Sequence, residues 1–321
     1  MSFNEIKGQS RAISVLLKHL ESGRISGGYI FSGPEGVGKK AVALALAKAL
    51  NCQQNKSGCS QCVSCLKIKN SQHPDVHVIS SADSGLIKIE DIRSLRNDIY
   101  LKPYEAKKKI FIIDDAHNLT AEAENALLKV LEEPPPNSLI ILITSKPGML
   151  FKTVISRCKT IRFSPMDNEV ITEILRKEHG VEEEAARSIA VLSSGRLGYA
   201  LAIKDSPILS QRKHIIDMFV GKKEFDMDFL PLESKEEMKL MLSMLLSLFR
   251  DIYLIKSDIT AGLLNAGMSA ELRGLAGQYE LTELDQIISD FADSFLFIEQ
   301  NINRRIIISN LRLAICKKTY S

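Results

Sequence analysis

Gly33-Pro34-Glu35-Gly36-Val37-Gly38-Lys39-Lys40 is the stretch that decides how this chain folds. It matches G-x-x-x-x-G-K, follows the apolar run Tyr29-Ile30-Phe31 and precedes the Ala- and Leu-rich segment from Ala41 to Leu50. A strand, a glycine loop and a buried helix in that order form a phosphate-binding turn. The glycines let backbone N–H groups wrap an anion, the helix N-terminus adds partial positive charge, and Lys39 can reach the outer phosphates. Gly33, Gly36, Gly38, Lys39 and Lys40 are therefore candidate nucleotide-binding residues. The position after the lysine normally carries a hydroxyl that ligates Mg²⁺. Here it is Lys40, and an ammonium repels a metal instead of ligating it. ATP with Mg²⁺ is the cofactor the loop suggests and Lys40 argues against, so nucleotide binding without efficient hydrolysis stands beside a turn that has lost its ligand.

Outward from the loop, apolar runs and helical spacings alternate. Val76 to Ile79, Ile110 to Ile113, Leu139 to Ile143 and Thr160 to Phe163 read as further strands. Ile13 to Leu20, Ile89 to Ile99 and Ala121 to Leu131 read as helices, the last stopped by Pro134-Pro135-Pro136. Continuous apolar strands between helices indicate a parallel sheet covered on both faces. In Ile110-Phe111-Ile112-Ile113-Asp114-Asp115 the acids emerge at the strand's C-terminal end, beside the phosphate loop. Asp114 stands where a carboxylate orients Mg²⁺ or its waters. Asp115 stands where a glutamate is usual; aspartate is one methylene shorter, and a misplacement of about 1 Å can cost on the order of 100-fold in rate.

Four of the six cysteines, Cys52, Cys59, Cys62 and Cys65, fall in one short segment with the spacing C-x6-C-x2-C-x2-C. Two short intervals bring three thiolates together and the longer excursion returns the fourth, which is the donor set of a closed tetrahedral zinc site. An iron–sulfur run would continue to a further cysteine, but Lys69 stands there. Lys56 and Lys67 are placed to offset the charge of a zinc tetrathiolate, and His73 and His77 read as packing or surface residues.

The chain has 321 residues, 45% of them hydrophobic and 25% charged, with 42 Lys plus Arg against 39 Asp plus Glu. At roughly 150 residues per domain this suggests two or three domains. The net charge of +3 gives no global nucleic-acid signature. No apolar run reaches the roughly 18 residues of a membrane span, and the N-terminus carries no basic-then-apolar signal. No membrane partner and a cytoplasmic location are expected. After Ser164-Pro165 the strand signal stops. Asp167 to Glu178, Glu182 to Leu192 and Gly198 to Ile203 read as short helices, and Met238 to Phe249 is the clearest core helix beyond them.

Further motifs carry a family likeness. They are Ile6-Lys7-Gly8-Gln9, His73-Pro74-Asp75, Leu127-Leu128-Lys129-Val130-Leu131-Glu132-Glu133-Pro134-Pro135 and Ser156-Arg157-Cys158. With the phosphate loop and the cysteines, the chain resembles the clamp-loader branch of AAA+ proteins, and within it the delta-prime subunits of bacterial DNA polymerase III. The resemblance is carried by the first 165 or so residues; later, Ser194-Gly195, Ala200-Leu201 and Asn303-Arg304 continue it. It implies an α/β AAA+ P-loop NTPase domain over residues 1–165, with a parallel sheet and a zinc module at 51–70. A helical lid over 166–206 and an all-α oligomerisation collar over 207–321 would follow.

The resemblance also implies partners: the delta subunit, gamma or tau ATPase subunits and, through the assembly, the sliding clamp and primed-template DNA. It makes Arg157 an arginine finger that acts on ATP held by a neighbouring subunit. Thr144 or Ser145 would be the polar sensor after the fourth strand. The lid arginine of ATPase relatives would fall at Gly198. With Lys40 and Asp115, that absence implies a polymerase holoenzyme component that hydrolyses little or no ATP itself. A working gamma- or tau-type ATPase is the alternative, and a zinc-dependent nucleic-acid binding module is a third class. Arg93 and Arg96 lie on the polar face of a helix, where phosphate contact competes with plain solvation. Lys107-Lys108-Lys109 reads as a solvated turn.

Overall fold

The computed structural model describes residues 2–55, 57–81, 85–230 and 234–316. The chain folds into two compact units, Met1–Met166 with Arg196–Tyr199, and Asp167–Gly195 with Ala200–Ser321.

The first unit runs α1 (Ser10–Glu21), β1 (Gly28–Ser32), α2 (Lys39–Asn51), α3 (Val63–Lys69), β2 (Val76–Ile79) and α4 (Ile89–Ile99). It continues with β3 (Lys109–Ile113), α5 (Ala121–Glu132), β4 (Ser138–Thr144), α6 (Lys152–Arg157) and β5 (Lys159–Arg162). The five strands form one sheet in the order β2-β3-β4-β1-β5, and every pairing is parallel. Strand residues alternate between two cores. Tyr29, Phe31, Ile110, Ile112, Ile141 and Ile143 pack with Leu16, Val42 and Leu46. Ile30, Phe111, Ile113, Ile140 and Leu142 pack with Ile92, Leu95, Leu127, Val130 and Val154 on the other face. Burial on both faces is why these strands read as unbroken apolar runs. The chain therefore has the AAA+ P-loop fold, and the fifth strand lies one residue earlier than its apolar run suggests.

The lysine run is not a solvated turn. Lys109 opens β3 and is buried, with Nζ 2.8 Å from Asp98 Oδ1. Lys107 Nζ donates to the Cys52 carbonyl at 2.8 Å, and Lys108 Nζ donates to that of Pro136 at 3.2 Å. The preceding loop is anchored by Asp75, whose buried carboxylate accepts the N–H groups of Tyr104, Glu105 and Ala106 at 2.7, 2.8 and 2.9 Å. Burial opposes the charge of Asp75, but those three N–H groups outweigh it and hold the carboxyl below its ordinary range. A depressed folded pKa contributes stability above the unfolded pKa and loses it as pH falls through the folded one. Asp75→Asn is expected to cost about 2 kcal/mol at neutral pH and to shrink the loss of stability on acidification below the ordinary carboxylate range. Urea denaturation at pH 7 and at pH 3 checks both.

The second unit is helical: α7 (Asn168–His179), α8 (Glu183–Ser193), α9 (Leu197–Ile203, shared with the first unit), α10 (Pro207–Ser210) and α11 (Arg212–Phe219). Then come α12 (Lys235–Lys256), α13 (Ser269–Ala276), α14 (Leu281–Glu299) and α15 (Arg304–Ile315). Helix α12 begins at a capping box between Ser234 and Glu237 and buries Met238, Met241, Leu245, Leu248 and Phe249. Its buried Asp251 accepts the N–H groups of Leu264 and Asn265 at 3.1 and 2.6 Å. Leu296, Phe297, Ile302, Ile306 and Leu313 stay exposed on or between α14 and α15. No described helix is long and apolar enough to cross a membrane.

Candidate functional site

Ligands of open α/β sheets bind beyond the C-terminal strand ends. There the loop after β1 and the acids after β3 flank β4. Gly33, Gly36 and Gly38 have φ of 155°, 73° and 96°, conformations that favour glycine. At Gly33 a Cβ would also lie 2.3 Å from the Phe163 carbonyl oxygen. A cavity of about 360 Å³ is lined by Glu35, Gly36, Gly38, Lys39, Lys40, Asp114, Asp115 and Ile143. The structure thus brings together most of the nucleotide residues expected from sequence.

Lys39 is buried and folds back on the loop, donating to the Gly33 and Pro34 carbonyls at 2.6 Å each. Burial pushes its pKa down, while Glu35, Asp115 and Asp114 pull it back. Lys40 Nζ sits 3.1 Å from Asp114 Oδ2. The carboxylate that would face a magnesium ion therefore faces an ammonium, and the usual Mg²⁺ position does not fit these residues. Asp115 has φ 53°, and burial followed by the charge of Asp114 pushes its carboxyl up. Glu35 and His117, not singled out from sequence, place their ligand atoms with that of Asp115 within 4.8 Å of one another. Thr144 is fully buried, lies 3.4 Å from His117 Nδ1, and does not line the cavity.

Gly198, where the lid arginine would fall, packs against the phosphate loop. Its N–H donates to the Gly36 carbonyl at 2.7 Å, and a Cβ there would lie 3.0 Å from the same oxygen. Arg196, two positions away, lies over the Tyr199 ring at 4.5 Å.

Arg157 is not part of this cavity. It ends α6, just before β5, and its carbonyl oxygen lies 3.7 Å from the Cβ position of Gly28. That is the N-terminal edge of the sheet. The five residues of β1 separate it from the phosphate loop by roughly 16 Å. Its Nη2 donates to Glu132 Oε1 at 2.6 Å and its Nη1 to the Thr153 carbonyl at 2.9 Å.

The four cysteine sulfurs lie within 4.8 Å of one another, with Cys52 and Cys62 at 4.0 Å. A tetrahedral zinc with Zn–S near ~2.3 Å needs sulfur–sulfur edges of roughly 3.8 Å, so the donor set fits. Burial opposes the Cys52 thiolate, but N–H groups of Asn55 and Gln54 outweigh it and hold the thiol at about 6. Burial and then the bond to Cys62 push Cys65 up to about 12. One sulfur is thus prepared as a thiolate while its neighbour resists adding a second negative charge. Lys67, expected to offset that charge, is instead 2.7 Å from Glu105, and Lys56 lies outside the described residues. His73 is buried and accepts the Asp75 N–H, and His77 stacks on Phe111.

A family model described as DNA polymerase III, delta subunit, matches residues 8–167. The delta-prime subunit of Bacillus subtilis DNA polymerase III is 33% identical over 262 residues, covering 77% of this chain and 78% of its own length. The tau subunit of Escherichia coli is 35% identical over 216 residues, covering 65% of this chain but only 33% of tau. A gamma subunit-related protein of Thermotoga maritima shares the fold, with a TM-score of 0.50 at 17% identity over 94% of this chain and 98% of its own. The chain belongs to the family of DNA polymerase III clamp-loader subunits that includes delta-prime and gamma/tau.

Proposed function

We propose that the chain is a delta-prime-type subunit: it keeps the nucleotide fold, hydrolyses little or no ATP, and offers Arg157 to the ATP of a neighbouring gamma or tau subunit. The observation that carries this reading is Lys40 on Asp114 at 3.1 Å, a side-chain cation where hydrolysis needs a divalent metal. The roughly 16 Å between Arg157 and its own phosphate loop supports action in trans. In this reading residues 166–206 are the lid and 207–321 the collar. The exposed Leu296, Phe297, Ile302, Ile306 and Leu313 suit a surface covered by other subunits. Delta, gamma or tau are the partners, and the sliding clamp and primed DNA are met through the assembly in the cytoplasm. Cys52, Cys59, Cys62 and Cys65 would hold zinc, which closes their loop and performs no chemistry.

A gamma- or tau-type ATPase is the second reading, favoured by the 35% identity to tau and by the intact Lys39. ATP turnover by the purified chain separates the two. The first reading expects background turnover with Mg²⁺, unchanged in Lys39→Ala. Turnover of ~1 s⁻¹ or more, lost in Lys39→Ala, would establish the second.

A further inference from the structure

We infer that Glu132 is a positioning residue for Arg157, held in place by a platform that the glycine pair Gly27-Gly28 makes possible. The inference rests on Arg157 acting as a finger.

The platform joins two sequence motifs. A Cβ on Gly27 would lie 2.4 Å from Pro134 Cβ and Cγ, and one on Gly28 would lie 2.8 Å from Cys158 Sγ and 3.1 Å from Leu131 Cδ2. The proline two residues after Glu132 and the cysteine after Arg157 therefore pack on adjacent glycines at the start of β1. Burial pushes the Cys158 thiol up to about 12, so it packs as a neutral apolar group. Helix α6 is also tied to α5 at its other end: the Phe151 N–H donates to the buried Glu124 carboxylate at 2.8 Å. Glu124 and Glu132 thus grip the two ends of α6 from one helix.

An arginine at the end of a short helix has many rotamers, and catalysis depends on holding one of them. Glu132 fixes Nη2, and the Thr153 carbonyl and Ser156 hydroxyl take Nη1. The Nε–H and one Nη2–H of the five guanidinium donors are left for an oxyanion outside the chain. The Arg157–Glu132 pair is half-exposed and adds little to stability. Its role is to aim the guanidinium, and Gly27-Gly28 sets the spacing between the two motifs.

The test uses the assembled clamp loader with Arg157→Ala, Glu132→Ala or Glu132→Gln in this chain alone, reading kcat and KM for ATP with primed DNA. Glu132→Ala is expected to lower kcat at the adjacent site by about tenfold or more without a matching change in KM or in assembly. Glu132→Gln should recover most of the loss, because its amide oxygen accepts the same N–H. A kcat unchanged or raised in Glu132→Ala, with Arg157→Ala still inactivating, overturns the positioning role and leaves the finger standing. Full activity in Arg157→Ala overturns both.

Discussion

Freshly purified protein is expected to contain one zinc per chain, and stripping it should unfold the segment from Cys52 to Lys69. Four sulfurs within 4.8 Å are held by a short loop and a helix of seven residues, too short to persist alone. The cysteines form a cluster of their own, and the segment reaches the main core through Ile68 of its helix. Structural zinc contributes on the order of 10 kcal/mol to small modules of this kind. Chelation or Cys62→Ser should therefore expose the segment to proteolysis and lower the melting temperature. The effect should spread to the lysine run, because Asn51 bonds to both backbone groups of Lys108 at 2.9 Å. Metal analysis showing no zinc, or an unchanged proteolytic pattern after chelation, would refute the assignment.

Arg157→Ala is expected to slow hydrolysis at the neighbouring ATP site on the order of 10³-fold, while the isolated variant melts like the parent. The two halves of that expectation have separate causes. A guanidinium facing the transferring phosphoryl group stabilises charge that develops only in the transition state. In the free chain, by contrast, Arg157 contributes one half-exposed ion pair, worth at most about 1 kcal/mol. Measuring single-turnover hydrolysis in the assembly, and thermal unfolding of the chain alone, keeps the effects apart.

The sheet and its phosphate loop were legible because both are local. Each buried strand is an apolar run, and the loop's glycines are required by backbone angles that no partner supplies. The cysteine spacing was legible for the same reason. What escaped was set by residues distant in sequence. Lys109 is buried because Asp98 waits for it on α4, and no local pattern marks a lysine that will find such a partner. Helices α3 and α6 are too short for periodicity to show. The gathering of Glu35, Asp115 and His117 comes from two segments, after β1 and after β3, meeting beyond the C-terminal strand ends. Gly198 looked like a lost arginine; in the structure it packs closely against Gly36. The pairing of Glu132 with Arg157 joined two recognised motifs through a glycine pair that carries no sequence signature of its own.

In the proposed role this subunit acts through its finger and not through its own phosphate loop. The most direct test places Lys39→Ala or Arg157→Ala in this chain alone and measures ATP hydrolysis by the assembled complex with primed DNA. The proposed role predicts that Lys39→Ala leaves turnover near the parent value and that Arg157→Ala removes the adjacent site's contribution. Loss of turnover in Lys39→Ala with full activity in Arg157→Ala would contradict it.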